Sequence, residues 1–182
     1  CDVPSHSYTY SFELNPAWTR TLPPGHEVQA YFERVSEKYG LRDWITFNEE
    51  VVSCVYDNDR WQLKTRSGIA DTADVVIAAT GVLHHPRYPD IPGTDEFEGA
   101  VFHSARWDHS VPLDGKRIAI VGTGSTGVQL VCALSDRASS LTHFQRTPQW
   151  IMPTEDRPFT DTELATFIHD PEVLRSMHYN EH

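Results

Sequence analysis

Two stretches of this chain hold residues whose types and spacing could do chemistry. The first is Gly122-Thr123-Gly124-Ser125-Thr126-Gly127, a G-x-G-x-x-G run between two apolar segments. Such a loop binds phosphate. Gly122 permits the tight turn, Gly124 lets the backbone approach a pyrophosphate, and Gly127 lets a helix pack close to a strand. The helix that follows would offer free N–H groups and the positive end of its dipole to the anion. The second stretch runs from Phe97 to Asp108, where His103 and Trp107 follow a Phe-x-Gly turn and have no evident folding role.

The residues past the loop select the ligand. A dinucleotide site for NAD wants Asp or Glu at the end of the next strand, about 20 residues on, to bond the ribose 2′-hydroxyl. Here Gln145-Arg146-Thr147 stands there instead. A carboxylate would repel a 2′-phosphate, whereas the Arg146 guanidinium pairs with it and the Thr147 hydroxyl adds a bond. The cofactor expected at this loop is therefore NADP.

These residues need elements to hold them. Arg117 to Val121 reads as a buried strand, Val128 to Ala138 as a helix covered on both sides, and Leu141 to Gln145 as a strand closing a β-α-β unit. Upstream, Asp74 to Ala79 reads as a strand buried on both faces that ends at a Thr80-Gly81 turn. The loop from Val82 to Gly93 holds Pro86, Pro89 and Pro92, which makes it a stiff connection. Earlier still, Val28, Tyr31, Phe32, Val35 and Tyr39 form one helical stripe, stopped at Gly40. Trp44 to Phe47, Glu50 to Tyr56 and Trp61 to Thr65 read as strands of a small antiparallel meander that turns at Asp57-Asn58-Asp59. Residues 1–24 are rich in rings, including Tyr8, Tyr10, Phe12 and Trp18, which pack either on protein or on a flat ligand. Asp161 to His169 and Glu172 to Met177 read as helices.

Composition narrows the class. The formal net charge of −11 argues against a nucleic-acid surface, and 39% hydrophobic residues support a globular fold. The longest apolar runs are strand-sized, so no membrane span is expected. Cys1, Cys54 and Cys132 include no C-x-x-C, which suggests neither a dithiol centre nor a paired zinc site, and a cytoplasmic location is the simplest reading. His84-His85 in a proline-rich loop is poor ligand spacing, so no metal is expected. The chain opens on Cys1 rather than Met and reads as the middle of something longer.

With loop and linker placed, the sequence closely resembles the class B flavoprotein monooxygenases, in particular the Baeyer–Villiger type. The family fingerprint, Phe-x-Gly-x-x-x-His-x-x-x-Trp followed by Pro or Asp, is met by Phe97, Gly99, His103, Trp107 and Asp108. The resemblance covers residues 1–160, and more loosely those beyond. It implies an α/β class with two partial Rossmann-like dinucleotide-binding folds and the small antiparallel β meander. A partial FAD-binding domain would span 1–85, the linker with the fingerprint 86–115, and a partial NADP-binding domain with the start of a helical insertion 116–182. The first FAD glycine motif and the segment bearing the active-site arginine are not in the chain.

The resemblance also implies an activity. NADPH reduces FAD, the flavin takes up O2 as a C4a-peroxyflavin, and one oxygen enters a ketone or aldehyde; sulfides are further substrates. Asp2 matches an aspartate beside the flavin that tunes the active-site arginine, although an N-cap or plain loop aspartate is the alternative reading of that residue. Tyr8 matches a position that contacts FAD and Val51 one near the adenine. Gly122, Thr123, Gly124, Ser125, Thr126, Gly127 and Gln129, with Arg146 and Thr147, match the NADP site. His103 matches the linker histidine that couples domain motion to turnover. Two rivals stand beside this reading. An N- or S-oxygenating flavin monooxygenase usually ends its fingerprint in Tyr or Phe, where this chain has Trp107-Asp108. A non-catalytic NADP-binding remnant is the alternative from another class.

Overall fold

The protein, seen in a computed structural model, is described over residues 2–180, with side chains described as far as His178. It divides into two compact units, Cys1–Val76 with Pro153–His182, and Ile77–Met152. The contacts thus group the last stretch with the N-terminal part, whereas the sequence reading ran it on from the second dinucleotide fold.

In the first unit, α1 (Gly25–Lys38) follows Pro23-Pro24 and stops where Gly40 takes a left-handed φ of 61°. The apolar stripe expected from the sequence faces inward at Tyr31 and Val35, while Phe32 and Tyr39 remain exposed at its margin. Two further helices, Asp161–His169 and Pro171–Asn180, close the unit at its C-terminal end. The first of these starts at a reciprocal cap, in which Thr160 Oγ1 accepts from the Glu163 N–H and Glu163 Oε2 accepts from the Thr160 N–H. Their apolar faces and α1 share one core of Trp18, Tyr31, Val35, Phe159, Phe167 and Leu174. A short antiparallel clasp holds this core shut: the Thr21 N–H donates to Arg157 O (3.0 Å) and the Phe159 N–H to Thr19 O (3.0 Å).

The ring-rich N-terminal segment therefore packs on protein through Trp18 and Tyr8. The Tyr31 hydroxyl pins that segment from α1, donating to Glu13 O (2.6 Å) and accepting from the Tyr10 N–H (2.8 Å). Ser5 Oγ donates to the carbonyls of Arg20 and Thr21.

The meander has three antiparallel strands, β1 (Val51–Asp57), β2 (Arg60–Thr65) and β3 (Ala70–Ala73), in the order β1-β2-β3. The β1–β2 turn is made by Asn58 (φ 49°) and Asp59 (φ 61°), two residue types that tolerate the left-handed region. The expected strand at Trp44 to Phe47 does not form. Leu41–Trp44 is a 3₁₀ turn instead, set off by Gly40, and Trp44 is 88% exposed. The third strand is the unpromising Ala-Asp-Thr-Ala, paired because Gly68, at φ 99°, turns the chain back on β2.

The segment from Asp74 to Ala79, expected as a buried strand, differs as well. It forms no strand, and Val75 and Ile77 are 74% and 86% exposed. A parallel strand exists only with hydrogen-bonded neighbours, and among the described residues none pairs with this segment.

The second unit carries a parallel pair, β4 (Arg117–Val121) and β5 (Ser140–Phe144), joined by α2 (Ser125–Leu134). Register runs from Arg117 opposite Ser140 to Val121 opposite Phe144. This is the expected β-α-β unit, but it is covered on one side only. Ile118 and Ile120 are the covered positions of β4 and Leu134 is buried in α2, while Cys132 and Ala133 are exposed and the helix ends before Ala138. The architecture is mixed α/β, and α3 (Asp161–His169) and α4 (Pro171–Asn180) complete it.

Candidate functional site

The glycine loop leaves β4 at Gly122, whose φ of 110° only glycine adopts readily. Its N–H donates to Phe144 O (3.0 Å), so the loop is tied to β5 as soon as it leaves the ladder. A Cβ on Gly127 would overlap Gly122 O and lie 3.1 Å from its carbonyl carbon. The first turn of α2 therefore rests directly on the loop backbone. A Cβ on Gly124 would meet nothing within 4 Å, so the space before this residue is open. The first amide of the helix to find a backbone carbonyl is that of Val128, bonded to Gly124 O at 3.1 Å. The amides of Ser125, Thr126 and Gly127 precede it at the helix mouth, where no side chain caps them. This is a cradle for an anion: an open face, a close-packed back and unsatisfied donors.

The end of β5 comes to the same place. Thr123 Oγ1 donates to Thr147 O (3.2 Å), which brings the loop beside Gln145-Arg146-Thr147. Arg146 is exposed and, among the described residues, faces no carboxylate partner. Gln129 lies on the exposed side of α2, one turn below the mouth. The residues predicted for the phosphate end of the cofactor thus stand together, and they fit a pyridine dinucleotide. Sequence reasoning overlooked His143, which points its Nε2 at Gly122 O (2.7 Å). The signal was a polar ring two positions before Gln145, in a strand read only for its apolar residues.

The fingerprint belongs to the same unit. Gly99 gives the Phe97 ring its place, since a Cβ there would run into that ring. His103 caps the 3₁₀ turn Ser104–Arg106, its Nδ1 accepting from the Ala105 N–H at 3.0 Å. The ring lies edge-on to Tyr88 of the proline-rich loop, centroids 5.9 Å apart. Trp107 meets Phe102 edge to face at 5.0 Å. Asp108 accepts from both Ser110 Oγ (2.6 Å) and the Ser110 N–H (2.9 Å), and these bonds hold its carboxyl below the ordinary range. The motif is thus a chain of local turns, each fixed by one named residue.

Asp2, Tyr8 and Val51 lie in the other unit. Asp2 is exposed and caps no helix, because the 3₁₀ turn Ser5–Tyr8 is preceded by Pro4 and has no side-chain cap. It sits within electrostatic range of Tyr8, whose phenol is pushed up first by burial and then by the Asp2 charge. Val51 opens β1 opposite Thr65, half exposed, at a register shift between Val51 and Ser53.

A family pattern described as pyridine nucleotide-disulphide oxidoreductase matches residues 6–181. The chain belongs to that family. Among the described residues, Cys54 and Cys132 are free thiols in different units. Over 169 residues the chain is 58% identical to an uncharacterized monooxygenase of Mycobacterium tuberculosis, covering 93% of this chain and 34% of that protein. It is 47% identical to a Baeyer–Villiger monooxygenase of Streptomyces coelicolor, over 91% of this chain and 32% of that one. Among solved structures, cyclohexanone monooxygenase from Rhodococcus sp. Phi1 bound to NADP+ superposes with a TM-score of 0.82 at 36% identity, covering 95% of this chain and 34% of that one. The chain spans about a third of the length of the relatives it matches. Among the described residues no helix is long and apolar enough to cross a membrane, and no cluster of three or more His, Cys, Asp or Glu could hold a metal.

Proposed function

We propose that this chain works within an NADPH- and FAD-dependent monooxygenase of the Baeyer–Villiger type, acting on ketones or aldehydes and also on sulfides, with O2 as co-substrate, in the cytoplasm. The observation that carries the reading is the glycine cradle, closed behind by the Gly127–Gly122 contact and joined through Thr123 and Thr147 to the segment bearing Arg146. The likeness to the NADP+-bound cyclohexanone monooxygenase supports it.

When bound, the nicotinamide and the flavin supply the hydride and the oxygen-activating chemistry. The chain's own residues bind and orient. Gly124 and the amides of Ser125, Thr126 and Gly127 hold the pyrophosphate. Arg146 and Thr147 take the 2′-phosphate, with Gln129 on the flank of the helix. Tyr8 and Val51 line the flavin side, and Asp2 places a carboxylate there. His103, with Nδ1 occupied by the Ala105 N–H, carries its proton on Nε2 when neutral and transmits linker position rather than protons to the flavin. Residues 1–85 serve the FAD side, 86–115 the linker and 116–182 the NADP side with the start of a helical insertion, whose helices α3 and α4 pack on the core of the first unit.

The test is a substrate pair. NADPH-dependent oxygen uptake by the protein containing this chain, offered a ketone and a thioether, should give ester or lactone as well as sulfoxide. Sulfoxide with no ester would support the N- or S-oxygenating rival. NADP+ binding without any flavin or turnover would leave a nucleotide-binding module.

A further inference from the structure

We propose that His143 is a positioning residue for the dinucleotide loop: its ring N–H holds the carbonyl of Gly122 and thereby sets the direction of the Thr123 amide. The inference rests on the reading of the loop as an NADP site.

The carbonyl of Gly122 is where three elements meet. From β5, His143 Nε2 approaches its oxygen at 2.7 Å. From α2, Gly127 lies so close that a Cβ would overlap the same oxygen, and that Cβ would also stand 3.7 Å from His143 Nε2. A carbonyl only accepts, so Nε2 is the donor, whether the ring is the neutral Nε2–H tautomer or the imidazolium.

The consequence follows from peptide geometry. Gly122 O and the Thr123 N–H belong to one planar, trans peptide unit, so they point in opposite directions. Fixing the oxygen toward β5 and α2 aims the Thr123 N–H away from them. Without a donor at His143 this peptide loses a hydrogen bond that holds its orientation, and on the Gly122 side, where the flip turns ψ, there is no Cβ to restrict it. A flipped peptide would turn a carbonyl dipole where an anion needs an N–H. The other anchors do not prevent this. The Gly122 N–H to Phe144 O bond fixes the preceding peptide, and the Thr123 hydroxyl to Thr147 O bond fixes a side chain.

Two substitutions and one spectroscopic signature test the role. In the full chain, His143→Leu should weaken NADP+ binding about tenfold in calorimetric titration, the loss expected of one oriented hydrogen bond. His143→Gln, which can still donate from its amide, should stay within about threefold of the parent protein. ¹⁵N NMR of the parent protein should show His143 protonated at Nε2. Unchanged affinity in His143→Leu, while Arg146→Ala still weakens binding, would overturn the role of His143 and leave the NADP site standing. Equal losses in the Leu and Gln variants would also overturn it, since packing rather than donation would then be at stake. A parent protein that ignores NADP+ yet keeps the Nε2 proton would instead remove the NADP reading itself, and the proposal with it. Should the Leu variant fail to fold, the Gln variant and the NMR signature still decide.

Discussion

The Cβ that Gly127 lacks would overlap the carbonyl oxygen of Gly122, so the first turn of α2 and the loop touch backbone to backbone. Gly124, two residues past Gly122, has no such neighbour within 4 Å and carries a φ of −63° that any residue adopts. The two glycines are therefore expected to answer differently to the same change. Gly127→Ala forces loop and helix apart and should cost about 1–3 kcal/mol of stability, as overpacking does. Gly124→Ala should leave the melting temperature of the free protein close to the parent value. It should still weaken NADP+ binding, because the added methyl stands in the open space kept for the ligand. Thermal melts with and without NADP+ separate the two, and equal destabilisation of the free protein by both would contradict the assignment.

Arg146 carries the choice between the two nicotinamide cofactors. It is exposed at the end of β5, beside Thr147, and a bidentate guanidinium suits a 2′-phosphate that NADH lacks. Arg146→Ala should raise the dissociation constant for NADPH by about 10- to 100-fold, the loss expected for a charge-assisted pair, and change that for NADH little. Parallel titrations with both cofactors check this. Equal losses for the two would mean that Arg146 does not read the phosphate.

Much of this site was legible in the sequence because glycine spacing reports backbone geometry directly. The positive φ of Gly122 and the contact at Gly127 are the reasons those positions cannot hold other residues, and both show in the letters alone. The β-α-β unit and α1 were legible for the same local reason, their apolar periodicity. What failed was burial that depends on partners. Val75-Val76-Ile77 has the composition of an interior strand, yet a strand is a property of its neighbours as much as of its residues. The same holds for α2, whose apolar outer face says nothing about whether anything covers it. Ala70–Ala73 was missed in the opposite sense: its pairing comes from the turn at Gly68 rather than from strand-forming side chains. The cap at Thr160 and Glu163, a Thr-x-x-Glu that the sequence reading passed over, fixes the start of α3.

His103 holds its linker turn through Nδ1, which accepts from the Ala105 N–H. His103→Ala should therefore loosen the turn Ser104–Arg106 and slow turnover several-fold in the complete enzyme, with flavin content unchanged. His103→Asn, whose side-chain carbonyl can also cap, should recover part of the rate. Flavin absorbance of the purified variants, measured with steady-state rates, gives the answer. Loss of flavin from His103→Ala would make the residue a structural support of the FAD side instead.

His6 makes the core of the first unit sensitive to acid. It is 3% exposed, its ring lies edge-on to Phe167 at 4.9 Å, and among the described residues its Nε2 has no partner. Burial first, and the neighbouring His178 second, push its pKa down from 6.5 to about 4. A folded chain thus keeps His6 neutral where an unfolded chain protonates it. Stability due to this group is undiminished above pH 6.5, falls as pH drops from 6.5 to about 4, and is lowered by a constant amount below that. Glu163 behaves differently. Its bonds from Arg157 and then Thr160 hold its pKa near 2 against an ordinary 4.5, so its contribution is lost only as pH falls from 4.5 towards 2. The two windows separate the groups. His6→Leu should flatten the decline in melting temperature between pH 6.5 and 4.5 and leave the steeper fall at lower pH in place. Melts of parent and variant across that range measure it, and parallel curves throughout would show that His6 takes up its proton without disturbing the core.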